Sequence, residues 1–319
     1  MKTLLTVLAM LSLGLCASNT FAASDGKIVS IGSDTMSHVM KNTAEKFKDK
    51  NPSVTVEVQD PGSSAGIGAM INGQSDLCPA SRTMKKEEYE KFAEKNNGAK
   101  PLEVRVALDG ITIYVHKDNP LSEISMDVLG RVFAQNPQED FTDKKGKVHK
   151  ALGAKVATWG DVDPNLPAEF KSAKISLYSR NAASGTYGFF KEHVLNDHDY
   201  DKAAQEMPGT SSVVNGVAKD KFAIGYGGVG YKTEDVKVLK VAPKAGEPAV
   251  PANPETIATR KYPISRTLQI YVPRKPEGAV KSYLEFILSK DGQDIIQSEK
   301  VGFVALPDAL LEQERVKLK

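Results

Sequence analysis

The feature that most constrains this chain is a unit that recurs along it: a short β-rich run, a turn of glycine and small hydroxyl residues, then apolar residues at helical spacing. Lys27-Ile28-Val29-Ser30-Ile31 ends at Gly32, and Met36 to Lys48 carries Met36, Val39, Met40 and Phe47 on one helical face. Val54-Thr55-Val56-Glu57-Val58 alternates as a strand does, Asp60-Pro61-Gly62-Ser63-Ser64 has turn chemistry, and Ala65 to Asn72 reads as a helix. Ile175-Ser176-Leu177-Tyr178 followed by a helix from Tyr187 to Leu195 repeats the unit, and Phe222 to Tyr226 is a further strand. Such alternation predicts an α/β fold with mixed, mostly parallel sheets flanked by helices.

A mature chain of about 300 residues exceeds the size at which single cores stop growing, so two domains are expected. Val104 to Leu108 and Ile111 to Val115 read as one long strand interrupted at Asp109-Gly110, where glycine permits a bend and the chain crosses between domains. Pro243, Pro248, Pro251 and Pro254 punctuate an extended segment before Leu268-Gln269-Ile270-Tyr271-Val272, a strand that carries the chain back. Helices over Gly278 to Ser289, Gly292 to Glu299 and Ala309 to Val316 then cover the first domain's sheet. The expected division is residues 23–108 with 266–319 as one domain and 109–265 as the other, with a charged surface loop or hairpin over 136–153.

Met1 to Ala22 reads as a secretory signal: Lys2 supplies the positive start, Leu4 to Leu15 the apolar stretch, and Thr20-Phe21-Ala22 the cleavage site. The apolar run is too short for a hydrocarbon core of about 30 Å. Cys16 follows the bulky Leu15, which argues against lipoprotein processing. With Cys16 removed, Cys78 is the remaining thiol and no internal disulfide can form. Lys plus Arg number 42 against 40 Asp plus Glu, so no bulk field exists to attract nucleic acid or an acidic membrane.

Gly32-Ser33-Asp34-Thr35, Gly62-Ser63-Ser64-Ala65-Gly66 and Ser184-Gly185-Thr186 each place backbone N–H groups and hydroxyls at a helix start. A helix start carries unpaired donors and partial positive charge and suits an oxyanion. Taken singly, each loop reads first as a helix cap. Arg180, four residues before Ser184, is not explained by capping, and its guanidinium fork fits phosphate bidentately.

Arg180-Asn181-Ala182-Ala183-Ser184-Gly185-Thr186 resembles the second-domain signature of the periplasmic phosphate-binding proteins of bacterial ABC importers: an arginine, three residues, then Ser-Gly-Thr. The Gly32 to Thr35 loop, Ser63-Ser64, Trp159-Gly160-Asp161, Ala223-Ile224-Gly225-Tyr226 and Tyr262-Pro263-Ile264 fall in matching order. The resemblance implies a two-domain type II periplasmic-binding-protein fold with a two-strand hinge. It further implies a monomer that binds phosphate without cofactor or catalysis, and a membrane permease as partner. Anion contacts carry over to Ser33, Asp34 or Thr35, to Ser63 or Ser64, and to Arg180, Ser184, Gly185 and Thr186.

Two departures follow from the same resemblance. Ala80-Ser81-Arg82 stands where an aspartate accepts the proton of hydrogen phosphate, and Ala182 where an acid pairs with the arginine. That aspartate separates phosphate from sulfate, since sulfate has no proton to offer a buried carboxylate. Ser81 and Arg82 therefore join the candidate set, with Asp34 favoured as substitute acceptor, Asp109 second and Asp76 also eligible. The ordinary alternatives are that Asp34 caps the first helix, Asp109 stabilises the hinge turn, and Arg82 pairs with Glu87 or Glu88 on the surface. Other tetrahedral oxyanions, sulfate or arsenate, are the alternative ligands.

An enzyme would make Ser33, Ser64 or Ser184 a nucleophile in ester hydrolysis, which needs an adjacent base or metal. His38, His116 and His149 are scattered, and His193 and His198 read as a solvent-facing pair rather than a metal site. No repeats or aromatic-rich stretch support an adhesion protein.

Overall fold

The computed structural model describes residues 26–319; the expected signal segment, with Cys16, lies outside them. Strand β1 (Lys27–Ile31) leads through a 3-10 turn over Asp34–Met36 into helix α1 (Ser37–Lys50), then β2 (Thr55–Gln59) and α2 (Ser63–Ile71). β1 and β2 pair in parallel, as a helical crossover requires, and Ser30 bridges in parallel to Leu77, just before β3 (Cys78–Ala80). Helix α3 (Lys86–Lys95) leads to the long strand β4 (Leu102–His116). β12 (Ser265–Val272) lies between β3 and β4, antiparallel to both. The first lobe's strands thus run β2, β1, β3, β12, β4.

The far half of β4 belongs to a second lobe. Leu102 to Gly110 pair with β12, whereas Ile111 to Val115 pair with β10 (Ala223–Gly228). β10 continues in parallel to β8 (Ser176–Arg180), and β8 in parallel to β9 (Gln205–Met207). β11 (Val236–Ala242) lies antiparallel to β4 and carries the short β5 (Glu123–Ser125). Helices α4 (Met126–Phe133), α5 (Trp159–Val162), α6 (Ala168–Lys171), α7 (Gly185–His193), α8 (Thr210–Lys219) and α9 (Pro254–Ala258) complete this lobe. The chain returns through β12 to α10 (Gly278–Ile287), α11 (Lys290–Gln297) and α12 (Asp308–Val316), which pack on the first lobe.

The expected interruption at Asp109-Gly110 is absent, since β4 runs through it unbroken. Gly110 is needed for close approach instead: a Cβ there would lie 2.8 Å from Ile257 Cδ1 and 3.2 Å from Tyr262 Cδ1. The insertion over 136–153 forms a hairpin of β6 (Phe141–Thr142) and β7 (Val148–His149). It is less bland than its charge suggests, because His149 is buried and stacks on Phe141 at 4.6 Å. Lys145 at its tip forms an ion pair with Glu87 of the first lobe.

The apolar face of α1 explains how the first lobe holds together. Phe47 is 2% exposed and sits 5.1 Å from the Tyr283 ring and 5.6 Å from the Phe286 ring of α10. In the second lobe Phe190 of α7 stacks on Tyr226 of β10 at 4.0 Å, with Phe133 edge-on to both, which fixes α7 against the sheet.

Candidate functional site

Two helix starts face one another across the cleft between the lobes. α2 begins at Ser63, two residues before the expected Ala65, because Gly62 takes φ 115° and turns the chain into the helix directly. α7 begins at Gly185, two residues before Tyr187, and Ser184 caps it by accepting from Thr186 N at 3.1 Å and Tyr187 N at 3.3 Å. Small, weak helix formers occupy both first turns, which is why helical periodicity alone starts too late. Ser64 N donates to the Ala183 carbonyl at 3.0 Å, so the first turn of α2 docks on the loop before α7. A Cβ on Gly185 would lie 2.4 Å from Ser63 Oγ and 2.6 Å from Ser81 Oγ.

Buried hydroxyls gather where the helix starts meet. Ser33 Oγ donates to Ser81 Oγ at 3.0 Å, Ser81 N donates to Ser63 Oγ at 3.1 Å, and Thr35 Oγ1 lies 2.7 Å from Thr186 Oγ1. Ser33, Thr35, Ser63, Ser81, Ser184 and Thr186 are all at most 3% exposed. First turns leave backbone N–H groups without intrahelical partners and carry partial positive charge, which adds to the hydroxyl donors here. Such a cluster is matched by a small, fully desolvated anion.

Three arginine–carboxylate pairs frame the cluster, and each differs from its sequence reading. Arg180, 1% exposed, has Nη1 3.0 Å from Asp34 Oδ2, and it donates to Thr210 Oγ1 at 2.7 Å and the Pro208 carbonyl at 3.0 Å. Its buried Nε has no hydrogen-bond partner among the described residues. Asp34 therefore stands beside the arginine in the role that Ala182 cannot fill. Nor does Asp34 cap its own helix: its Oδ2 accepts from Thr210 N at 2.9 Å and Thr210 Oγ1 at 3.1 Å, so it caps α8 of the opposite lobe.

Arg82 is directed away from the hydroxyl cluster. Nη1 donates to the Thr83 carbonyl at 2.9 Å and Glu88 Oε2 at 2.8 Å, and Nη2 to Ser64 Oγ at 3.1 Å and Glu88 Oε1 at 2.6 Å. All four terminal N–H groups are engaged, which leaves none of them for an anion. The pair forms with Glu88, not Glu87, and it is largely buried rather than on the surface.

Asp109 is fully buried at the crossover and meets Arg266, a residue that the sequence reading passes over. Arg266 Nε and Nη2 donate to Asp109 Oδ2 at 2.8 and 2.6 Å, and Val229 N donates to Asp109 Oδ1 at 3.1 Å. Burial pushes the Arg266 guanidinium below its ordinary pKa, against the opposing pull of Asp109. The only sign of Arg266 in the sequence is a charge at the start of an apolar strand. Thr210 had a better one: Pro208-Gly209-Thr210-Ser211-Ser212 after β9 repeats the design of Pro61-Gly62-Ser63-Ser64.

Asp76 is committed elsewhere, its Oδ2 accepting from Val29 N at 2.9 Å. His198 is buried, with Nε2 3.1 Å from the Lys150 carbonyl, so His193 and His198 are not a solvent-facing pair. Among the described residues no group of three or more His, Cys, Asp or Glu could hold a metal ion, and no helix is long and apolar enough to cross a membrane.

Known proteins share both the sequence and this architecture. Residues 17–291 match the model of the PBP superfamily domain. The phosphate-binding protein PstS of Pseudomonas aeruginosa is 34% identical over 98% of this chain and 97% of its own length. The chain belongs to the PstS family of phosphate-binding proteins.

The PstS protein of Staphylococcus saprophyticus is 32% identical over 97% of this chain and 91% of its own. Among solved structures, a phosphate ABC transporter substrate-binding protein of Clostridium perfringens with bound phosphate is 27% identical. It superposes with a TM-score of 0.71 over 88% of this chain and all of that one. An ABC-type phosphate transport receptor from Vibrio cholerae, at 21% identity and TM-score 0.64 over 88% of this chain and 100% of its own, supports the type II fold alone.

Proposed function

We propose that this protein binds inorganic phosphate between its lobes, outside the cytoplasm, and delivers it to the membrane permease of an ABC importer. The observation that carries the proposal is the meeting of the α2 and α7 starts, with their buried hydroxyls, beside the guanidinium of Arg180. Its buried Nε lacks a partner among the described residues, and an unsatisfied buried donor is costly. An anion oxygen would satisfy it. Binding proceeds without chemistry and without a cofactor, and the protein acts as a monomer.

In this reading the anion is held by Ser33, Thr35, Ser63, Ser81, Arg180, Ser184, Gly185 and Thr186. Ser64 and Arg82 support α2 rather than touch ligand. Closure is hinge motion with boundaries near 108/109 and 265/266, supported by the change of β4 partner after Gly110 and by the pairing of Ser265 with Gly110. Calorimetric titration with phosphate at neutral pH is expected to give one tight site. Absence of heat would sink the proposal. Arg180→Ala removes a charge-assisted fork, and phosphate affinity is expected to fall by about 2–5 kcal/mol.

Asp34 remains our choice for the acceptor of the phosphate proton, with Asp109 second. The contacts of Asp34 with Thr210 and Arg180 use Oδ2, which leaves Oδ1 as an acceptor. Sulfate competition across about pH 5 to 9 on the parent, Asp34→Asn and Asp109→Asn decides between them. If neither variant changes discrimination, another group accepts the proton.

A further inference from the structure

We propose that Arg266, on the returning crossover strand, is a positioning residue of the oxyanion site: held by Asp109, it orients the hydroxyl pair through which the two lobes meet the anion. The inference rests on the phosphate-binding reading above.

Arg266 is 2% exposed and directly opposite Asp109 in the β12–β4 register. Two donors hold Asp109, and Nη1 donates to the Ser81 carbonyl of the first lobe at 2.8 Å. Nη2 also donates to Thr186 Oγ1 of the second lobe, at 2.9 Å. One rigid fork thus spans the hinge carboxylate, the backbone of a first-lobe site residue and the hydroxyl of a second-lobe site residue.

The consequence for the site follows from hydrogen-bond polarity. A guanidinium can only donate, so Thr186 Oγ1 accepts from it and one of its lone pairs is occupied. Thr186 and Thr35 share a single bond at 2.7 Å, which uses one of their two hydroxyl protons. The other proton is left for the anion, whichever hydroxyl carries it. Accepting from a cation also polarises Thr186 and strengthens the donor. Arg266 therefore occupies the acceptor side of Thr186 Oγ1 and polarises the hydroxyl pair, and does so where Ser81, Thr35 and Thr186 are brought together.

A lysine at this position keeps the charge beside Asp109 but cannot reach three acceptors in fixed geometry. The test is a double-mutant cycle in phosphate affinity, with Arg266→Lys, Thr186→Val and both together, each checked by thermal melting without phosphate. Arg266→Lys is expected to raise the phosphate Kd roughly ten-fold or more in the parent and less than about three-fold in the Thr186→Val background. Equal effects in both backgrounds, or a lysine variant that binds like the parent, would overturn the proposal. Should the lysine variant fail to fold, Arg266→Gln with Asp109→Asn replaces the ion pair by a neutral one, and the same coupling to Thr186 is expected. A parent that gives no heat with phosphate overturns the phosphate reading itself. That result is distinct from a parent that binds and a cycle without coupling.

Discussion

Asp34 serves a helix that begins 176 residues after it. Its carboxylate caps α8 from the opposite lobe and faces Arg180 as well, so Asp34→Asn removes a charged cap and leaves a buried guanidinium without its acid. Apparent stability without phosphate is expected to fall by about 1–2 kcal/mol in denaturant titration. His38 provides a pH test at the same scale. It stacks on Tyr231 at 4.5 Å, and burial pushes its pKa below the ordinary 6.5, with Lys41 adding to the effect and Asp34 opposing it. The unfolded chain takes up that proton more readily, so stability is lost as pH falls below about 6.5. His38→Phe should flatten the dependence of melting temperature on pH between about 5 and 7. Arg180 is legible in the sequence because its partners in the motif are local. The Asp109–Arg266 pair is not, because 157 residues separate two charges that only sheet register brings together.

Elements were legible where a full helix or an uninterrupted β run gave a period to read. α1, α10 and β1 fall within a few residues of expectation. β3 has only three residues, too few to show alternation, although it stands next to β12 and positions Ser81. α8 carries Val213, Val214 and Val217 on its buried side, a usable signal that the proline and glycine before it obscure. Gly185 shows how an element is tuned for closure rather than for its own stability. Alanine is the better helix former, by about 1 kcal/mol in a helix interior. Gly185 is the first residue of α7, where that gain does not apply in full, and Gly185→Ala should weaken phosphate binding by roughly ten-fold or more, since its methyl would press on Ser63 and Ser81. Equal phosphate affinity in that variant would mean that the lobes do not close as tightly as described.

Over the whole molecule, the lobes meet in aromatic contacts, Tyr231 stacking on His38 at 4.5 Å and lying 6.4 Å from the Phe303 ring, and in hydrogen bonds across the cleft such as Thr210 N to Asp34 Oδ2. A ligand touching both sides should hold them together. Saturating phosphate, at about 100 times Kd, should stabilise the protein by about 2.7 kcal/mol. It should also reduce the radius of gyration measured by X-ray scattering. The alternating β and α pattern made the α/β class readable and the chain's length pointed to two lobes, while the sheet order was hidden, because nothing in a strand's own residues names its neighbours. That order has a consequence for assembly in time. β12, made near the end of synthesis, is inserted between β3 and β4, whereas β10, which is likewise inserted late, between β4 and β8, is complete before β12 is made. The second lobe can form while the chain is still emerging; the first must keep a gap beside β4 until its last-made strand arrives, and only then does Arg266 reach Asp109.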